Sequence, residues 1–358
     1  MTDRNEPARR ANVIGLGLIG GSIALGLRHQ GWYVSGDDID RGTADAALER
    51  RIVDALGVDA DADITFVAVP VLDAVDQVER ALAETRGTVT DVGSVKAAIC
   101  ASSTATRFVG GHPMAGSELD GLDGAQGDLF EGAVWVLTPG PDSDDTVFAQ
   151  VASVVASLGA EVVALSPQRH DQLVAVVSHV PHLTAATLMG LASDRAEEHA
   201  ALLRLAAGGF RDMTRVASGR PGIWLDICAE NRTAIVGVLD QLIDGLSGMR
   251  DIIDADDREA LYGRLTAARH ARLNLPTRVV HPDELSEVRI PIPDRAGAAA
   301  EVFTLAAELS VNIASFEVVH VAESTRGVAV VLVDRAMVEL FRGGLLARGF
   351  RPAVQPLS

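Results

Sequence analysis

Residues 11–27, ANVIGLGLIGGSIALGL, constrain the fold more than any other stretch. A short β-branched run leads directly into glycines spaced G-x-G-x-x-G, and an apolar helical pattern follows at once. A strand that turns so tightly into a helix is the opening unit of a parallel sheet with crossover helices. The alternation continues through YVSGDD, ITFVAVP, TVTDVG, RFVGG, AVWVLTP and EVVALS, with helical stretches that include 41–50 and 71–84. Residues 1–166 therefore predict an α/β domain built on a Rossmann-type parallel sheet.

From 167 to 278 the strand signal disappears, and Ala, Leu, Arg and Asp dominate stretches that read as helices. A helical domain with so many apolar faces is expected to bury one of them against a second copy, making a homodimer. The segment LNLPTRVVHPDELS links it to a last unit, 285–358, whose order reads strand, helix, strand, strand, helix, strand. That is the split βαβ order of a ferredoxin-like fold.

Composition narrows the partners. At 358 residues and nearly half apolar, the chain can bury more than one core. A formal net charge of −18 opposes broad contact with nucleic acid or an anionic membrane, so an anionic substrate needs a local basic pocket. Cys100 and Cys228 have neither disulfide nor metal spacing, the N-terminus lacks an apolar signal core, and no later run approaches membrane-spanning length. A cytoplasmic location is the expectation.

The glycine loop has a ready chemical use. Gly15 makes the turn, Gly17 leaves room for a pyrophosphate, and Leu16, Leu18, Ile19 and Gly20 complete a loop whose N–H groups face that anion. The second strand ends in GDDID, where Asp38, rather than Asp37, is the candidate for a ribose 2′-hydroxyl. A carboxylate there repels a 2′-phosphate, favouring NAD over NADP, with Arg41 the nearby residue of opposite tendency. Val69 and Pro70, after the third strand, join the cofactor set. The plainer reading is a glycine-rich turn without a nucleotide.

Lys96, in TDVGSVKAAI, is the only lysine beside thirty arginines. In the first turn of a helix it opposes the dipole, so the position asks for a compact ammonium, unless it is a solvated residue left by chance. Ser94, two residues earlier, is either functional or that helix's N-cap. His112, in FVGGHPMAGSE, follows the fifth strand at the carboxyl edge of the sheet, where Pro113 biases its backbone to an extended form, and Glu118 lies six residues on. It is a general-base candidate. In VVSHVPHLTAA, His179 and His182 share a helical face across Pro181. A metal site is rejected for want of further ligands. Asp212 and Arg215, in GGFRDMTR, are either a surface ion pair or an arginine held by a carboxylate and able to grip another carboxylate bidentately.

GLGLIGGS, DVGSVK, GHPMAGSE, SHVPH and GGFRDMTR followed by IWLDICAEN stand in the order found in prephenate and arogenate dehydrogenases of tyrosine biosynthesis. The chain resembles that family over roughly residues 11–270. Its last unit, with IPDRAGAAAEV and VNIASFEV, resembles an ACT domain. The resemblance implies an NAD-dependent oxidative decarboxylation of prephenate. His112 would act on the ring hydroxyl, Ser94 would orient that hydroxyl and the imidazole, and Arg215 would bind a substrate carboxylate. His182 would line the side-chain end of the pocket, Glu118 and Asp212 would gate with Arg215, and Trp224 would help close the pocket. Asp212 could instead favour the ammonium of arogenate. In the ACT-like unit, Gly297 and Asn312 match positions that would hold a tyrosine or phenylalanine effector. Two competing readings remain. A β-hydroxyacid or 6-phosphogluconate-type dehydrogenase relies on a lysine in its helical domain, where this chain has none. A non-catalytic sensor would not need the set Ser94, His112, His182 and Arg215.

Overall fold

A computed structural model describes residues 9–116, 119, 121–140, 142–196, 206–273, 285–293, 297–320 and 326–356. The chain divides into two compact units, Met1–Thr187 with Val216–Gly248, and Leu188–Arg215 with Met249–Ser358.

The first unit opens with β1 (Arg10–Ile14), α1 (Leu18–His29), β2 (Tyr33–Asp37), α2 (Arg41–Glu49), β3 (Ala55–Leu56), β4 (Ile64–Val67) and α3 (Val71–Glu84). It continues with β5 (Thr88–Asp91), α4 (Ala97–Ala101), β6 (Phe108–Pro113), β7 (Val134–Thr138), α5 (Asp145–Ser157) and β8 (Glu161–Ala164). One sheet holds all eight strands in the order β3-β2-β1-β4-β5-β6-β7-β8. Central strands such as β4 are buried at every residue because helices cover both faces, which is why they read as unbroken apolar runs. Polar side chains mark the helix starts: Asp40 accepts from the Gly42 and Thr43 N–H groups before α2, and Asp144 accepts from Thr146 before α5. Val13, Leu16, Ile23 and Phe66 share a core with Trp135, whose ring lies 4.9 Å from that of Phe130.

The sheet departs from uniform direction at its far side. From β3 to β6 neighbouring strands are parallel, but β6 and β7 pair antiparallel, with His112 opposite Val136. A parallel return needs a crossover helix. Between β6 and β7 the described residues provide only a short 3₁₀ turn, Gly121–Gly124, which packs on α1: the Gln126 N–H reaches Ser22 Oγ at 2.9 Å. The chain therefore doubles back beside β6.

A helical run follows. Ser166 caps α6 (Pro167–Val174), which passes through a π-helical turn at Ala175–His179 into α7 (Val180–Ala196). Pro181 lacks the N–H that a regular ladder needs, consistent with the irregular turn beside it. The stretch Pro167–Asp194 is long and apolar enough to cross a membrane by length and composition, contrary to the expectation that no run approaches that length. Its buried His170, Asp171 and His179 each find polar partners within the protein. Next come α8 (Gly208–Thr214), α9 (Pro221–Glu230), α10 (Arg232–Asp254) and α11 (Arg258–Leu273).

The C-terminal part of the second unit consists of β9 (Leu285–Pro293), α12 (Ala298–Glu308), β10 (Ile313–His320), β11 (Arg326–Asp334), α13 (Val338–Ala347) and β12 (Ala353–Pro356). Its antiparallel sheet is ordered β10-β11-β9-β12. Along β9, Val288, Ile290 and Ile292 are buried under Val302, Leu305, Phe341 and Leu345, while the alternate residue Arg289 points outward.

Candidate active site

The glycine loop lies at the carboxyl end of β1, beside that of β4, where strand order reverses direction. Gly15 has φ +92°, and a Cβ there would lie 2.4 Å from the Ala68 carbonyl oxygen and 3.1 Å from Val69 Cγ1. At Gly20 a Cβ would come within 1.9 Å of the Gly15 oxygen, so the loop closes on itself. Gly17 differs: nothing lies within 4 Å of its absent Cβ, and no side chain caps α1, whose first turn carries no acidic residue. This open face and the unpartnered helix start suit a pyrophosphate. Asp38 accepts from the Leu16 N–H at 2.7 Å and the Asp40 N–H at 2.9 Å, which sets its carboxylate against the loop. The Asp37 carboxylate is instead taken by Arg80 at 2.9 Å. Pro70 forms the N-cap of α3. These residues fit a dinucleotide.

Farther along the same sheet edge, a buried polar network surrounds His112. Gly110 and Gly111 make room for it: a Cβ on Gly110 would strike Thr138 Oγ1 at 2.4 Å, and one on Gly111 the Asp91 carbonyl oxygen at 2.7 Å. Asp91, at the end of β5, accepts from the Gly93 N–H at 2.8 Å and the Gly111 N–H at 3.2 Å, and it pairs with the Lys96 ammonium. Lys96 is fully buried, which removes the reading of it as a solvated residue. It stands at the N-cap of α4. Ser94 is therefore not that cap; the Asp171 carboxylate, from α6, accepts from the Lys96 and Ala97 N–H groups at 2.8 Å each.

Asp171 also meets its neighbour. His170 Nδ1 lies 2.7 Å from Asp171 Oδ1, and His170 Nε2 lies 2.8 Å from His112 Nδ1. Burial, with the Lys96 ammonium adding to it, holds His112 well below its ordinary pKa. It is a neutral imidazole at physiological pH, able to accept a proton.

Asn231, just after α9, fastens the next layer by donating to the Asp171 carbonyl at 2.8 Å and lying 3.2 Å from His179 Nδ1. Burial pushes His179 down to about 4, partly offset by Asp171. His182 stacks on Trp224 with ring centroids 3.6 Å apart and planes 14° from parallel. His179 meets the same indole edge-on at 6.1 Å, so the shared helical face is observed.

The structure thus brings His112 together with His170, Asp171 and Lys96, and His182 together with Trp224. Ser94 is half-buried in the loop between β5 and α4. Asp212 on α8 and Arg215 in the turn after it belong to the second unit, and both are exposed there. Glu118 lies outside the described residues. His170, Asp171, Asp91 and Asn231 were not among the sequence candidates. One signal for Asp91 was present, since a lone lysine buried near a strand end needs a carboxylate within reach.

Comparison with known proteins agrees with this geometry. Residues 23–164 match the model of the prephenate dehydrogenase nucleotide-binding domain, and 166–267 that of the prephenate dehydrogenase dimerization domain. Prephenate dehydrogenase of Bacillus subtilis is 33% identical over 88% of this chain and 89% of its own length. Cyclohexadienyl dehydrogenase of Zymomonas mobilis is 31% identical over 74% of this chain and 95% of its own. The crystal structure of prephenate dehydrogenase from A. aeolicus with hydroxyphenyl propionate and NAD+ superposes with a TM-score of 0.71 at 28% identity, over 76% of this chain and 100% of that one. Synechocystis arogenate dehydrogenase gives 0.65 at 33% identity, over 74% and 98%. With two family domains matched in sequence and most of the chain aligned to these relatives, the protein belongs to the prephenate dehydrogenase family.

Proposed function

We propose that this protein is an NAD-dependent oxidoreductase that converts prephenate to 4-hydroxyphenylpyruvate and carbon dioxide. The observation that carries the reading is His112: a neutral imidazole at the carboxyl edge of a dinucleotide-type sheet, its Nδ1 turned to His170 at 2.8 Å. NAD, held by the 15–20 loop and Asp38, supplies the hydride acceptor when bound. His112 takes the ring hydroxyl proton as the carbinol becomes a carbonyl. The electron pair freed by loss of carbon dioxide then aromatises the ring, and the imidazolium returns the proton to the phenol oxygen. Ser94 orients the hydroxyl and His182 with Trp224 bounds the pocket, while the family resemblance implies that Arg215 binds a substrate carboxylate. The gating role of Glu118 and Asp212 with Arg215 is what the family resemblance implies. Val69 and Pro70 complete the cofactor site.

Reduction of NAD on adding prephenate tests the reading directly. His112→Asn should lower kcat by about two to four powers of ten with KM less affected, and near-normal turnover would remove the base assignment. A second reading, use of arogenate alone or beside prephenate, draws on the Zymomonas and Synechocystis relatives and on the Asp212 carboxylate. Measuring kcat/KM for both substrates decides between them.

The same reading divides the chain into a nucleotide-binding domain over 1–166, a helical domain over 167–278 and an ACT-like unit of ferredoxin type over 285–358. The strand and helix order of the last unit supports it. Gly297, at φ +87° before α12, and Asn312, exposed before β10, would hold a tyrosine or phenylalanine effector. Tyrosine should then raise thermal stability, and an unchanged melting temperature would count against it. A homodimer is part of the proposal, supported by Val236, Ile243, Leu246 and Ile253 exposed on α10. Sedimentation as a monomer at micromolar concentration would refute it.

A further inference from the structure

We infer that His170 and Asp171 act together as a positioning dyad that fixes the tautomer of His112 and steadies the charge it acquires. The inference rests on His112 being the base. Both Asp171 oxygens already accept backbone N–H groups, from Lys96 and Ala97 at 2.8 Å each. A carboxylate only accepts, so the 2.7 Å contact with His170 is a donation from His170 Nδ1–H to Asp171 Oδ1. The dyad as inferred gives His170 a single ring proton, at Nδ1, and so a lone pair at Nε2. The 2.8 Å contact with His112 must then be a donation from His112 Nδ1–H. That leaves the His112 lone pair at Nε2, the one ring nitrogen not turned toward His170.

One carboxylate thus decides, through two rings, which nitrogen of the base is free. It does so from a rigid seat. Asp171 is tied by α4 N–H groups below and, through its own carbonyl, by Asn231 Nδ2 at 2.8 Å. His170 is fully buried, as is Lys96. When His112 takes the substrate hydroxyl proton at Nε2, no further proton has to move. The imidazolium keeps its Nδ1–H on His170, whose own Nδ1–H stays on the carboxylate, and the proton returns to the phenol oxygen by the same route. Any imidazole would stack in an apolar wall; this one is wired.

The test reads the tautomer first. In full-length protein carrying ¹⁵N-histidine, with the His112 signals assigned by their loss in His112→Asn, the ring nitrogens should show Nδ1 protonated and Nε2 bare. Asp171→Asn, which can present an N–H to His170, should convert His112 to the other tautomer or to a mixture. Finding Nε2 protonated in the unaltered protein overturns the dyad whatever the substrate proves to be. The kinetic arm separates positioning from packing. His170→Leu should lower kcat about 100-fold with KM for prephenate within about threefold, and His170→Gln, which keeps an acceptor near the Nε2 position, should recover most of that loss. Equal losses in both variants, or a fall confined to melting temperature, overturn it. Should His170→Leu not fold, the tautomer still decides. An unaltered protein that ignores prephenate would refute the substrate assignment and leave the tautomer result standing.

Discussion

Lys96 is fully buried, and its ammonium pairs with the Asp91 carboxylate. Lys96→Met would strand a buried Asp91 charge and should cost about 3–5 kcal/mol of stability, measured by urea unfolding. Lys96→Arg keeps the charge but must place a larger, planar head where Gly93 already approaches, at 3.4 Å from Nζ to its absent Cβ. Overpacking of about 1–3 kcal/mol is expected, more than an exchange of surface cations produces. His179 gives a pH dependence of definite sign. Its folded value, about 4, lies below the ordinary 6.5, so the unfolded chain binds the proton first as pH falls. Its contribution is present above about 6.5 and is lost on the way down to about 4, and His112 acts in the same direction. The urea midpoint should fall between pH 7 and pH 5, and His179→Gln should flatten that fall.

Among the elements, the β1–α1 turn separates two glycine roles that look alike in sequence. At Gly17 an added Cβ meets nothing within 4 Å, so Gly17→Ala should keep the melting temperature without NAD yet weaken the rise that NAD gives. Gly20→Ala collides with the Gly15 carbonyl and should lower the melting temperature with or without the cofactor. That turn was legible in advance because strand, glycine spacing and helix are contiguous, and each meaning is local. The antiparallel β6–β7 pair was not, since strand direction depends on where residues 114–133 travel rather than on what the strands contain. Likewise SPQRHDQL shows a Ser–Pro helix start but nothing of its partner, 58 residues away in sequence at His112. The cap on α4 stayed open for the same reason: Ser94 stood next to the helix, while the carboxylate that serves it comes from α6.

At the scale of the whole molecule, the polar network draws on β5, α4, β6, α6 and the end of α9, so it exists only when sheet edge and helical layer are docked. NAD at a hundred times its dissociation constant should add about 2.7 kcal/mol to the stability, read as a rise in the unfolding midpoint. The sequence motifs marked one residue in each of several segments, and packing supplied the second residue beside it. The stacked pair His182 and Trp224 carries one more consequence, an optical one. Trp32 and Trp135 lie in the core of the first unit, and Trp224 alone of the three tryptophans rests face to face on an imidazole, an arrangement that drains an excited indole. Any ligand that parts the two rings should change the Trp224 emission, so Trp224 with its polar indole tip is a built-in reporter of pocket occupancy. The signal should vanish in Trp224→Phe while the light from the two core tryptophans persists.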